Sequence, residues 1–109
     1  MNLQKSPRYE SKKLTNSAKG KPCQNCGLEN ETTVSAHANW SEYGKGGGLK
    51  AHDWAIAWLC HDCHTWLDKP ATLYDATGLY LTTEAQDMWQ SAHVKTLTIL
   101  FNEGVLKVA

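Results

Sequence analysis

A chain of 109 residues with no net formal charge and four cysteines fits one small domain, and at this size a modest core often needs a metal or disulfide to hold it. The N-terminal stretch MNLQKSPRYESKK has no apolar signal region and no run approaches a membrane span. Secretion and membrane insertion are therefore not expected, and in the cytosolic setting that remains, the cysteines read as metal ligands rather than disulfides.

The zero charge is unevenly placed. Residues 1–21 hold Lys5, Arg8, Lys12, Lys13, Lys19 and Lys21 against Glu10, a balance of +5, and the remainder carries −5. This segment is expected to be a basic flexible arm, with residues 22–109 forming the folded domain. Such an arm either contacts phosphates, where released counterions favour binding, or is a solvated tail. LTNSAKGKP within it allows at most a short helical turn before Gly20 and Pro22.

Cys23-Gln-Asn-Cys26-Gly27 opens the body. TTVSA, residues 32–36, is β-branched and suits a first strand, and AIAWL, residues 55–59, suits a second. In DWAIAWL the alternation puts Trp54, Ile56 and Trp58 on one face and Ala55, Ala57 and Leu59 on the other. Between the strands runs ANWSEYGKGGGLKAHD, too long for a tight hairpin and of the kind that is either functional or disordered. From Asp62 a helix is expected to run to a stop at Pro70, with His64 and Asp68 one turn apart on one face. Thr83-Glu-Ala-Gln86 has the form of a capping box, and Ala85, Met88, Trp89, Ala92, Thr96, Ile99 and Leu100 mark a core-covering helix over about 83–103. The fold class is α+β.

Cys23-x-x-Cys26 and Cys60-x-x-Cys63 have the spacing of two knuckles that share one tetrahedral Zn²⁺. A redox CxxC is the rival reading, disfavoured by two such pairs without a βαβ pattern. Four thiolates leave zinc no open position, so this ion is structural and any chemistry falls to other residues. His37 at the first strand's end, His52-Asp53 before the second strand, and His64 with Asp68 on the helix are the candidates. The inferred β-β-α unit is expected to bring the first strand's end close to the helix start.

This order of motifs resembles the zinc-stapled branch of the HNH, or ββα-metal, endonucleases. SAHANWSEYGKGGGLKAHDWAIAWLCHDCHTWLD resembles more closely the small phage- and prophage-encoded nucleases of the YbcO type, over roughly residues 14–108. The resemblance implies a DNA endonuclease of a bacterial host's cytoplasm with two metals, structural Zn²⁺ and a catalytic Mg²⁺ or another divalent cation. It implies His37 as general base on the attacking water, His64 as cation ligand and Asp68 as a second. Ala36, immediately before the base, cannot bind metal, and the family's middle asparagine is absent. Either Asp53 supplies a further ligand, or cation binding is weak, or the fold persists without activity. Lys12, Lys13, Lys45 and Lys50 are candidates for phosphate contact, and Trp40 either stacks on a base or sugar or anchors its loop. The alternative function is a non-catalytic zinc-binding adaptor for nucleic acid or protein.

Overall fold

The computed structural model describes residues 8–46 and 50–107. In chain order these form α1 (Lys12–Thr15), β1 (Val34–His37), a 3₁₀ turn (Ser41–Tyr43), β2 (Ile56–Leu59), α2 (His61–Asp68), α3 (Pro70–Leu73) and α4 (Thr83–Asn102). The architecture is α+β: β1 and β2 pair antiparallel, Val34 with Leu59 through His37 with Ile56. Among the described residues no helix is long and apolar enough to cross a membrane.

Both faces of β2 are covered. Ala55, Ala57 and Leu59 join Ala36, Leu67, Ala85, Trp89 and Ala92 in one cluster. Ile56 and Trp58 join Leu14, Ala18 and Leu100 in another. The expected alternation holds for these residues, but Trp54 departs from it and stands at the surface. A two-stranded sheet is marginal alone and leaves backbone groups open on its outer edges. Here the free edge of β2 is closed by side chains and by the first knuckle. The Trp58 amide donates to Thr96 Oγ1 at 3.0 Å, the Gln24 amide donates to the Trp58 carbonyl at 2.7 Å, and His93 Nδ1 lies 2.6 Å from the Ile56 carbonyl. Thr96 and His93 sit on α4, so the long helix is a lid and an edge seal together.

Two local expectations need correction. The N-cap of α4 is Thr82, whose side chain accepts from the Ala85 amide; the box does not start at Thr83. Thr82 is held outside the helix because its amide donates to the Leu73 carbonyl at 2.7 Å and its hydroxyl donates to the Thr72 carbonyl. Gln86 is thereby released to donate to Glu42 at 2.6 Å. Pro70 ends α2 as expected but also starts α3, where a missing amide costs nothing.

The expected arm is not free over residues 8–21. Ser11 caps α1, Leu14 and Ala18 are buried against Ile56 and Trp58, and Ser17 accepts the Trp58 indole N–H at 3.0 Å. An apolar pair spaced four apart on a short turn gives the segment a face to bury, and the charge count alone conceals it. Residues 1–7, including Lys5, lie outside the described residues.

Candidate functional site

The hairpin register decides where each candidate goes. Because Val34 pairs with Leu59, the start of β1 lies beside the start of α2, and the His61 amide donates to Thr32 Oγ1 at 3.0 Å. The eight residues of α2 then fold back over about 12 Å, close to the length of a four-residue strand. The end of β1 therefore meets the last turn of α2 rather than its start, which corrects the expectation. Asn39, two residues beyond His37, makes the junction by donating to Asp68 Oδ1 at 3.1 Å.

At the opposite end the knuckles converge. The sulfurs of Cys23, Cys26, Cys60 and Cys63 all lie within 4.8 Å of one another, and the Cys26 and Cys60 sulfurs are 3.7 Å apart. Tetrahedral bonds of about 2.3 Å to zinc would place sulfurs about 3.8 Å apart, so the donor set fits that ion. The loop amides of Asn25 and Cys26 point at Cys23 Sγ from 3.4 and 3.5 Å, and the Asn25 side chain donates to Cys63 Sγ at 3.3 Å. Burial pushes the Cys23 thiol up, but the amides of Cys26, Cys60 and Asn25 outweigh it and bring it down to about 6. Burial pushes the Cys63 thiol up to about 12. Metal binding must therefore displace protons, which ties affinity to pH.

At the other end of the hairpin, His37 Nε2 lies 2.9 Å from Asp53 Oδ1. Arg8 donates to the same oxygen, and the Ser11 amide donates to Oδ2 at 2.7 Å. Burial pushes the Asp53 carboxyl up; the His37 hydrogen bond, the Ser11 amide and the Arg8 charge outweigh it and hold it below the ordinary carboxylate range. Asp53 is thus an anion with both oxygens engaged by the protein, a setting that suits an orienting group better than a cation ligand. An ionised Asp53 requires the proton of neutral His37 on Nε2, leaving Nδ1 with the lone pair. The His37 side chain is 21% exposed and that of Asp53 7%, so water reaches the imidazole and not its partner.

His64 Nε2 lies 3.0 Å from Asp68 Oδ2 on the face of α2, with both side chains open to solvent. Among the described residues the four cysteines are the one group of three or more His, Cys, Asp or Glu whose ligand atoms converge. His64 and Asp68 offer two donors, enough for a divalent cation that keeps most of its waters.

The other histidines serve the fold. His52 accepts the Tyr9 amide at 2.9 Å and stacks on Trp54, while the exposed His61 has no ligand partner among the described residues. His93 stacks on Trp89 at 4.5 Å, and burial pushes its pKa down, so it is a neutral core group that the apolar stripe of α4 does not announce. Trp40 cannot stack on a base. It is 3% exposed and packs 5.9 Å from Trp89, because the polar loop folds onto α4 through Glu42 and Tyr43, which bond Gln86 and Gln90. Lys12, Lys13, Lys45 and Lys50 are exposed, the last two flanking residues 47–49, which lie outside the described residues. Arg8, Ser11 and Asn39 enter the site from sequence distances that no local pattern marks. The available signal for Arg8 is its type: it is the only arginine in the chain.

No curated protein and no solved structure matches the chain. A family model described as "Putative nuclease YbcO" matches residues 12–105. That span takes in both knuckles, the hairpin, α2 and α4, and the chain belongs to this nuclease family.

Proposed function

We propose that the protein is a divalent-cation-dependent endonuclease of the HNH, or ββα-metal, type that hydrolyses DNA phosphodiester bonds. The observation that carries this reading is the His37–Asp53 pair, set at the end of a β-hairpin whose following helix returns Asp68 to Asn39. Asp53 fixes the ring through Nε2, so Nδ1 is the nitrogen that accepts a proton from the attacking water. His64 and Asp68 would hold the cation, which supplies charge stabilisation for the phosphorane and the leaving oxygen. Lys45 and Lys50, with Lys12 and Lys13 on α1, supply cationic charge for the phosphate backbone. The cluster of four cysteines would hold structural Zn²⁺ and takes no part in hydrolysis. In this reading the setting is the cytoplasm of a bacterial host, and the gene is carried by phage or prophage.

The rival is a non-catalytic zinc-stapled adaptor. It is favoured by one observation: His64 and Asp68 bond each other rather than converging with a third ligand. Plasmid cleavage with Mg²⁺ or Mn²⁺ separates the two readings. His37→Ala should abolish cleavage while sparing cation binding, DNA binding and zinc content, and His64→Ala should lose cleavage and cation binding together. A wild-type protein that cleaves neither single- nor double-stranded DNA with Mg²⁺, Mn²⁺, Ni²⁺ or added Zn²⁺ would leave the adaptor reading standing.

A further inference from the structure

Residues 8–11 form a strap across residues 51–53. Arg8 Nε donates to the Ala51 carbonyl at 3.1 Å and Nη2 to Asp53 Oδ1. The Tyr9 amide donates to His52 Nδ1 at 2.9 Å, the Tyr9 carbonyl accepts the Asp53 amide at 2.9 Å, and the Ser11 amide donates to Asp53 Oδ2 at 2.7 Å. Glu10 meets Arg8 Nη1 at 3.1 Å from an exposed position, where an ion pair is worth little.

The segment 51–53 leaves a long glycine-rich connection and precedes β2, so the sheet does not set its position. The strap does. Arg8 contributes what no lysine can, since its planar fork grips a main-chain carbonyl and a side-chain carboxylate two residues apart at once. Its Nη2 and His37 Nε2 share one oxygen of Asp53. Two donors on Oδ1 and an amide on Oδ2 leave the carboxylate one orientation, and the His37 ring inherits it. Arg8 also precedes the span that the family model matches, so this contact lies outside what membership of the family describes.

We infer that Arg8 is a positioning residue: its guanidinium, anchored on the Ala51 carbonyl, fixes the Asp53 carboxylate and through it the orientation of the His37 ring. This rests on His37 being the base, as proposed above. A basic residue near the site has another use, contact with a phosphate, and the two are separable. A phosphate contact acts on binding and on its salt dependence, whereas a positioning contact acts on turnover.

The test uses the full-length, zinc-loaded chain. With a short DNA duplex and Mn²⁺, Arg8→Ala should lower kcat about ten- to a hundredfold, as loss of supporting partners commonly does. KM should stay within about twofold. Arg8→Lys should recover part of the lost turnover, because charge returns without the fork. In an Asp53→Asn background, Arg8→Ala should cost nothing further, since its route to His37 is already cut. Losses that multiply in the double variant, or a raised KM with a flatter salt slope, would overturn the inference.

A second measurement needs no activity. Long-range proton–nitrogen NMR of the DNA-free protein should show His37 as the Nε2–H tautomer in the wild type. Arg8→Ala should give a mixture of tautomers at unchanged zinc content. Identical His37 ring signals in the two proteins would overturn the inference even if neither cleaves DNA. Altered ring signals in a protein without nuclease activity would uphold the contact and remove the nuclease reading instead.

Discussion

With zinc held by the four cysteines, as proposed above, stripping it should unfold the domain near physiological temperature, and the connectivity gives a floor for the effect. The staple joins Cys26 to Cys60, 34 residues along the chain, with sulfurs 3.7 Å apart. A cross-link closing a loop of that length removes about 13 cal/mol/K from the unfolded chain, or about 4 kcal/mol at 25 °C. Small domains have only about 5–15 kcal/mol in all. At about 2.1 cal/mol/K per residue, 109 residues carry about 0.23 kcal/mol/K of unfolding entropy. The cross-link alone is then worth about 17 °C of Tm, and metal–sulfur bonding adds to it. The assay is thermal unfolding by circular dichroism under reducing conditions, with zinc-loaded protein compared against protein treated with a high-affinity chelator. Because Cys63 is pushed up to about 12 and must lose its proton to bind, chelation should succeed at lower chelator concentration as pH falls. Equal melting temperatures for loaded and stripped protein, at zinc contents of about one and zero per chain, would contradict this expectation. The knuckles would then hold through packing alone.

Asp53→Asn should destabilise the fold by about 2–3 kcal/mol at neutral pH, the scale of hydrogen bonds made by a charged group. Its folded-state pKa lies below the ordinary value, so the stabilisation is complete above about pH 4 and fades as pH falls below that. Melting curves of wild type and variant should therefore converge in acid, and a gap that persists unchanged to about pH 2 would contradict the assignment. Thr96→Val leaves the buried Trp58 amide without its acceptor and should cost about 1–3 kcal/mol. Hydrogen exchange at that amide should quicken, and undiminished protection would count against the edge seal. Gly44→Ala places a Cβ 2.7 Å from the His52 ring at a φ of +91°, and the strain should cost about 1–3 kcal/mol. A melting temperature equal to wild type would show that the loop relaxes freely.

What the sequence made legible is what local rules govern. Ligand spacing marks the knuckles, two-residue alternation marks Ile56 to Leu59, and helical periodicity marks α4, because each pattern is complete within a few residues. What escaped depends on partners far along the chain. Arg8 reads as one more charge in a basic tail until Asp53, 45 residues on, takes its guanidinium. Trp40 sits in a polar loop, and only the approach of Trp89 shows that it is core. Thr82 and Thr83 are equally good caps by composition, and the Thr72–Leu73 carbonyls choose between them. His93 follows Trp89 by four residues, yet a histidine is not counted into an apolar stripe, although a neutral buried one packs as well as any ring.

The hairpin also separates two electrostatic demands that would conflict at one end. A zinc ion with four thiolates carries two net negative charges, and a phosphodiester carries one. Side by side they would repel, and the staple would weaken the binding that the proposed nuclease needs. The four-residue strands put the length of the hairpin, about 10 Å, between the Cys60 end and the His37 end. At that distance the repulsion is about 1 kcal/mol in water and about 3 kcal/mol at an effective dielectric of 20. The exposed Lys45 and Lys50 follow β1 and lead back toward Asp53, on the connection at the His37 end, and supply the opposite charge there. Replacing both with glutamine should therefore weaken DNA binding and flatten its salt dependence by up to about 0.9 for each phosphate no longer neutralised, with zinc content and melting temperature unchanged. Affinity that does not respond would mean that phosphate is held elsewhere, and the exposed Lys12 and Lys13 of α1 would be the next pair to change.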